Sequence, residues 1–236
     1  MLELRPFLLA LFTKSLDGVF SEVDDANECV TGILSLPNVG GDTESEEAHM
    51  RRVVASEIVS LDGVVEAPDK WHFPYFNDEM GEAIGAAMAA ADAMLLGRVT
   101  YEEFAAFWPS QEGSDDDQEF ADYMNNTPKF VVSKTLQEPL EWNNSTLLKE
   151  NVVEEIAKLK QQPGKDISIT GSGTLVRSLL EDDLLDELRL MVHPIVVGSG
   201  KRLFEERGDH QKALELVGSE TFSTGVLYLT YQPAHS

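Results

Sequence analysis

Three short stretches of the chain place small, hydroxyl-bearing residues at the end of an apolar run: Gly97-Arg98-Val99-Thr100, Ser133-Lys134-Thr135 and Gly171-Ser172-Gly173-Thr174-Leu175. Each has what a phosphate group needs. Glycine and serine let the backbone come close to a ligand, the N–H groups of a first helical turn present a positive pole, and Arg98 and Lys134 each add a cation. Gly171-Ser172-Gly173 is the most suggestive, yet position 176 is valine, so the third glycine of the dinucleotide fingerprint is missing. A plain strand-to-helix turn would use the same residues.

The other chemistry-bearing residues are carboxylates and aromatics. Asp62, at the end of the first apolar run, serves as a proton donor if an apolar pocket raises its pKa, or merely caps the turn at Gly63. Asp78 is a second candidate acid, and with Glu79 it opens a helix, where N-terminal capping accounts for acids equally well. Trp71-His72-Phe73-Pro74-Tyr75-Phe76 offers flat faces, with Trp71 and Tyr75 the candidate substrate contacts; the same loop can pack on the sheet or on a dimer partner. His193, just before Pro194 inside an apolar strand, reads as a core or interface histidine.

Charge limits what such a site meets. The 236 residues carry 18 Lys+Arg against 42 Asp+Glu, a net charge of -24. No basic run offers a nucleic-acid platform, and an anionic membrane repels the chain. With 42% hydrophobic and 25% charged residues the composition is that of a globular protein with a real core. Cys29 is the single cysteine, which rules out an internal disulfide and a paired-cysteine zinc site and points to a cytoplasmic setting. The apolar run from Pro6 to Phe12 is too short to span a bilayer, and Glu3 spoils it as a signal peptide. No metal site is expected: Asp115-Asp116-Asp117 after Gly113-Ser114 reads as a solvated loop without calcium-loop spacing.

These residues need elements to hold them. Residues 1–49 hold ten acidic side chains against two basic ones, a net of -8, and end in a linker-like stretch from Pro37 to His49; they read as an appendage to a single domain over 50–236. Ser15-Leu16-Asp17-Gly18-Val19 recurs as Ser60-Leu61-Asp62-Gly63-Val64, which suggests a partial duplication of the first strand. From residue 50 the pattern predicts strands over 53–59, 93–96, 129–132, 166–170 and 187–197, and helices over 77–91, 101–108, 152–162 and 174–181. Residues 213–221 and 225–231 read as a closing antiparallel hairpin. Strands alternating with helices predict a three-layer α/β/α domain on a mainly parallel mixed sheet. In such a sheet ligands bind beyond the carboxyl ends of the strands, so the three small-residue turns converge on one crevice suited to a phosphate-bearing cofactor.

Taken together these segments resemble the dihydrofolate reductase-like family, and within it the reductase domain of riboflavin biosynthesis. The resemblance rests on Ser60-Leu61-Asp62-Gly63, the run from Ala91 to Tyr101 through Met94-Leu95-Leu96-Gly97-Arg98, Lys129-Phe130-Val131-Val132-Ser133-Lys134-Thr135, and Thr170-Gly171-Ser172-Gly173-Thr174-Leu175-Val176. Leu185-Asp186-Glu187-Leu188-Arg189-Leu190 and Pro194-Ile195-Val196-Val197-Gly198-Ser199-Gly200-Lys201 extend it. It implies a dihydrofolate reductase-like fold, NADPH as hydride donor, a small pyrimidine- or pterin-like substrate as in 5-amino-6-(5-phosphoribosylamino)uracil reductase, and frequently a homodimer. By position, Gly97, Arg98 and Thr100 match the turn that grips the adenosine 2′-phosphate side. Ser133, Lys134 and Thr135 match the second turn on that ribose-phosphate, and Gly171, Ser172, Gly173, Thr174 and Leu175 match the pyrophosphate loop. Arg98 and Lys134 would favour NADPH over NADH.

The departures are as informative. Thr170 stands where the riboflavin reductase has a substrate-meeting acid, and Tyr101-Glu102-Glu103-Phe104-Ala105-Ala106-Phe107-Trp108-Pro109 replaces the segment that receives the ribose phosphate. One cysteine cannot write the zinc deaminase signature of the bifunctional enzyme. A catalytically silent ligand-binding or interaction protein on the same fold and a true dihydrofolate reductase stay open as alternatives.

Overall fold

The computed structural model describes residues 50–111, 115–204 and 211–234; the appendage over 1–49, with its repeat of the first strand, lies outside the described residues. In chain order the elements are β1 (Val53–Ser60), α1 (Asp78–Ala89), β2 (Ala91–Gly97), α2 (Arg98–Phe107), α3 (Asp115–Asn126), β3 (Lys129–Val132) and β4 (Ser145–Leu148). They continue with α4 (Val152–Lys160), β5 (Asp166–Thr170), α5 (Gly173–Glu181), β6 (Glu187–His193), β7 (Leu214–Thr221) and β8 (Leu227–Pro233).

The eight strands form one sheet in the order β4-β3-β2-β5-β1-β6-β8-β7. The first six run parallel; β8 lies antiparallel to β6 and to β7. Both faces are covered, which is why β2 reads as the unbroken apolar run Ala93-Met94-Leu95-Leu96 rather than as an alternation. Ala93 and Leu95 join Val53, Ala55, Ile167, Ile169 and Leu188 under Ile156 and Leu159 of α4 and Leu175, Val176 and Leu179 of α5. Met94 and Leu96 face the other way, against Tyr101 and Phe107 of α2 and Phe120 and Met124 of α3. Met80 of α1 packs with Met191 and Phe222 beyond them. These layers make up the expected dihydrofolate reductase-like three-layer α/β/α fold with its antiparallel C-terminal hairpin.

The differences from expectation are local and have physical causes. β6 stops at His193, because Pro194 has no N–H to give the ladder. α1 ends at Ala89, and Ala91 already belongs to β2, whose first residue is buried. The aspartates at 115–117 open α3 instead of forming a loop. Lys129, 1% exposed, closes that helix by donating from Nζ to the carbonyls of Thr127 (2.6 Å) and Asn125 (3.1 Å) while lying 4.3 Å over the Trp142 ring. At the amino-terminal rim of the sheet, Arg51 pairs with Asp92 and Arg52 with both Asp166 and Glu187. The basic side chains there are already bound to carboxylates.

Candidate functional site

The opposite rim collects the carboxyl ends of all six parallel strands, and with them the three small-residue turns. β5 runs into Gly171 and Ser172, both left-handed, at φ +71° and +67°. A side chain at 171 would be strained there. Ser172 does not cap its own helix: its Oγ accepts from the Gly97 N–H (3.0 Å) and lies 2.7 Å from Thr100 Oγ1. The β5 and β2 turns are thereby fastened together. Gly97 permits this contact, since a Cβ at that position would come within 2.5 Å of Ser172 Oγ.

The helix starts on this rim have a feature in common. α2 begins after Gly97, α4 after Asn151 and α5 after Ser172, each without a side-chain cap. α1, by contrast, is capped by Asn77, whose Oδ1 accepts from the Met80 N–H at 3.1 Å. Uncapped first turns leave N–H groups for an anion.

Ser133 is buried and its Oγ accepts from the N–H groups of Thr135 and Leu136, both at 3.1 Å, so it holds its turn together while Lys134 and Thr135 are exposed. Lys134 lines a cleft of about 670 Å³ with Lys149, Glu150, Asn151, Val152, Val153 and Glu154. Lys149 escaped the sequence reading because β4 is only four residues long. Arg98 is exposed and pairs with Glu102 at 2.7 Å, an i,i+4 contact weak enough for a phosphate to displace. Thr174 is exposed on the first turn of α5, while Leu175 faces the core.

The candidate acids fare differently. Asp62 accepts from Ser60 Oγ (2.7 Å) and from the N–H groups of Val197 (3.0 Å) and Gly198 (2.9 Å). These bonds hold its carboxyl down to about 2, the Ser60 hydroxyl contributing most. Asp62 therefore organises the turns after β1 and β6 and carries no proton to give near neutrality, which corrects its expected role as donor. Asp78 is exposed on the first turn of α1. Neighbouring Glu79 accepts from the Ser223 N–H (2.7 Å) and Oγ (2.6 Å), tying α1 to the closing hairpin.

The aromatic loop packs on the sheet. Trp71 is 7% exposed, donates from Nε1 to the Glu66 carbonyl (3.2 Å) and meets the His193 ring edge-on at 5.4 Å; Tyr75, partly buried, does the same at 5.7 Å. Of the two readings of this loop, packing accounts for Trp71. His193 is fully buried: its Nδ1–H donates to the Met191 carbonyl (2.9 Å), which leaves Nε2 to accept from His72 Nδ1–H at 3.1 Å. Burial, with His193 alongside, pulls His72 down to about 3, and burial lowers His193 as well. Thr170 ends β5 beside Ser56 and is exposed.

One acid was missed altogether. Glu57 sits in the middle of β1 and is 5% exposed; its Oε1 is buried without a hydrogen-bond partner among the described residues, and burial alone pushes its carboxyl up to about 8. The only sequence signal was a single acid within Val53-Val54-Ala55-Ser56-Glu57-Ile58-Val59. Among the described residues no His/Cys/Asp/Glu group could hold a metal ion, and no helix is long and apolar enough to cross a membrane.

With fold and rim in view, comparison defines the class. The pattern of the RibD C-terminal domain family matches residues 51–228, and the chain belongs to that family. It is 31% identical over 182 residues to the uncharacterized protein YyaP of Bacillus subtilis (strain 168), covering 77% of this chain and 94% of YyaP. Among solved structures it is similar to a protein of Shewanella sp. PV-4, with a TM-score of 0.63 and 23% identity over 78% of this chain and 99% of the other. It also resembles the dihydrofolate reductase of Enterococcus faecalis complexed with NADP(H), with a TM-score of 0.51 and 16% identity over 78% of this chain and 97% of that one.

Proposed function

We propose that the chain is an NADPH-dependent reductase that transfers a hydride to a small heterocyclic substrate of pyrimidine or pterin type. The observation that carries this reading is the rim itself, where three helices start without side-chain caps, after Gly97, Asn151 and Ser172, with Arg98 opening the first and Lys134 lining the cleft beside the second. Strand order supplies a direction. From β4 and β3, with Lys149 and Lys134, it passes to the joined turns of β2 and β5 and then to β1. At about 4.8 Å per strand, the three steps from β3 to β1 span roughly 14 Å, room for an extended dinucleotide.

In this reading Arg98 and Lys134 take the 2′-phosphate, and Gly171, Ser172, Gly173 and Thr174 take the pyrophosphate. The nicotinamide lies toward β1, with the substrate near Thr170 and Tyr75. The bound cofactor would supply the hydride; the chain's own residues orient it and provide a proton. Fluorescence titration with NADPH and NADH tests the proposal. NADPH should bind more tightly, and detectable binding of neither would overturn it. The homodimer is also proposed, supported by β7, a sheet edge that carries exposed Leu216 and Val217.

A further inference from the structure

The strand that ends nearest the proposed nicotinamide position carries an acid, Glu57, whose Oε1 is buried without a hydrogen-bond partner among the described residues. Glu57 alternates with Val53 and Ala55 along β1, which puts it on the sheet face covered by α5. It pairs in register with Leu190 of β6, and it lies one residue beyond the Ser56–Thr170 pair, level with Gly171. Val65 and Leu203 pack on the core of that face, beside Gly173, and the Leu203 N–H donates to the Gly63 carbonyl at 2.9 Å.

Among the described residues, the neighbours on this face supply no compensating charge. Ala55, Leu190, Leu175 and Val176 are apolar, and Arg189 alternates onto the other face of β6. Arg177 of α5 turns its Nη1 to the carbonyls of Arg202 (3.1 Å) and Leu203 (2.6 Å). Asp62 is engaged by Ser60, Val197 and Gly198. An ionised carboxylate buried among such groups is strongly disfavoured, whereas a neutral acid is tolerated and keeps a proton to give.

We propose that Glu57 is the acid of this site, a neutral carboxylic acid at the Gly171 end of the crevice that protonates the substrate as it is reduced. The proposal rests on the reductase reading and deepens it. As the hydride from the reduced nicotinamide forms the new C–H bond, the π pair of the C=N or C=O group moves to its heteroatom. The Glu57 O–H bond breaks and that heteroatom takes the proton. Oxidised nicotinamide and a carboxylate remain, and water restores the Glu57 proton.

The test uses the native protein and the two forms of the cofactor. Oxidised nicotinamide is cationic and favours the carboxylate when it lies close to it. Adding NADP+ to unbuffered protein at pH 7 should release up to about one proton per chain, read with a pH indicator; NADPH should release far less. Infrared spectra should show a carboxylic-acid band at pH 7 that fades as pH rises through about 8. Glu57→Gln, which keeps the neutral shape, should lose both signals while still binding NADPH. If both cofactors bind with equal proton release and the band is absent, the Glu57 assignment falls and the reductase reading stands. If neither binds, both fall.

Discussion

Ser172 Oγ lies 2.7 Å from Thr100 Oγ1 and accepts the Gly97 N–H, so a single hydroxyl joins the β5 turn to the β2 turn. Ser172→Ala should cost about 1–2 kcal/mol of stability and weaken NADPH binding roughly tenfold, because the phosphate-facing turns lose their common anchor. Gly97→Ala should be worse, since its Cβ would meet Ser172 Oγ at 2.5 Å. In the double variant the Oγ contact is gone and only a 3.0 Å approach to the Cβ of residue 172 remains, so the double should be less damaged than the two single effects added together. Denaturant titration and NADPH fluorescence on the four proteins measure the coupling.

Removing the cations tests cofactor choice. Arg98→Ala and Lys134→Ala should each lower NADPH affinity by about tenfold, as expected for loss of one charge-assisted contact, and leave NADH affinity nearly unchanged. Arg98 gives up only an exposed pair with Glu102, so its variant should melt within a degree or two of the native protein. An equal loss for both cofactors would argue against a 2′-phosphate at this corner.

Asp62→Asn separates architecture from chemistry. The carboxylate is held low by Ser60 Oγ and two N–H groups, so its stabilising effect is complete above the ordinary aspartate range and disappears as pH falls from 3.8 through about 2. The variant should melt lower at pH 7 and show a flatter acid limb below pH 4. Thermal melts across that range read both effects.

Stability at milder pH is governed by buried groups of opposite sign. His72 and His193 are held below 6.5, so the unfolded chain binds more protons than the native one as pH drops below that value, and stability falls. Glu57 is held above 4.5, up to about 8, so the native chain binds the extra proton and stability falls as pH rises through that interval. Each group changes stability by at most about 1.4 kcal/mol per pH unit. With two histidines opposing one acid, stability should pass through a maximum close to the ordinary histidine value of 6.5, and Glu57→Gln should remove the decline on its alkaline side. Urea titrations from pH 5 to 8.5 give the curve.

Much of this was legible in the sequence, for reasons that particular residues make clear. Ala93-Met94-Leu95-Leu96 announces a strand buried on both faces, and Gly97 and Gly171 mark where strands turn toward the crevice. What could not be read depends on distant partners or weak local signal. Asp62 is defined by Val197 and Gly198, more than a hundred residues on; Trp71 by His193; Glu57 by the apolar neighbours that α5 and β6 bring to it. α3 opens on three aspartates, and β4, Ser145-Thr146-Leu147-Leu148, is too short and too exposed to stand out.

That same β4 forms one edge of the sheet, joined through four residue pairs to β3, and it leads directly into Lys149 and the uncapped start of α4. The end of the crevice that would receive the adenosine is thus built on the strand with the least support, where opening by local fluctuation costs least. Amide protons of β4 should exchange with solvent well before those of β1, β2 and β5, and a ligand lying across Lys134 and Lys149 should slow them most. Cofactor affinity then includes the work of quieting this edge, so substitutions that stiffen β4 would tighten binding without touching the ligand.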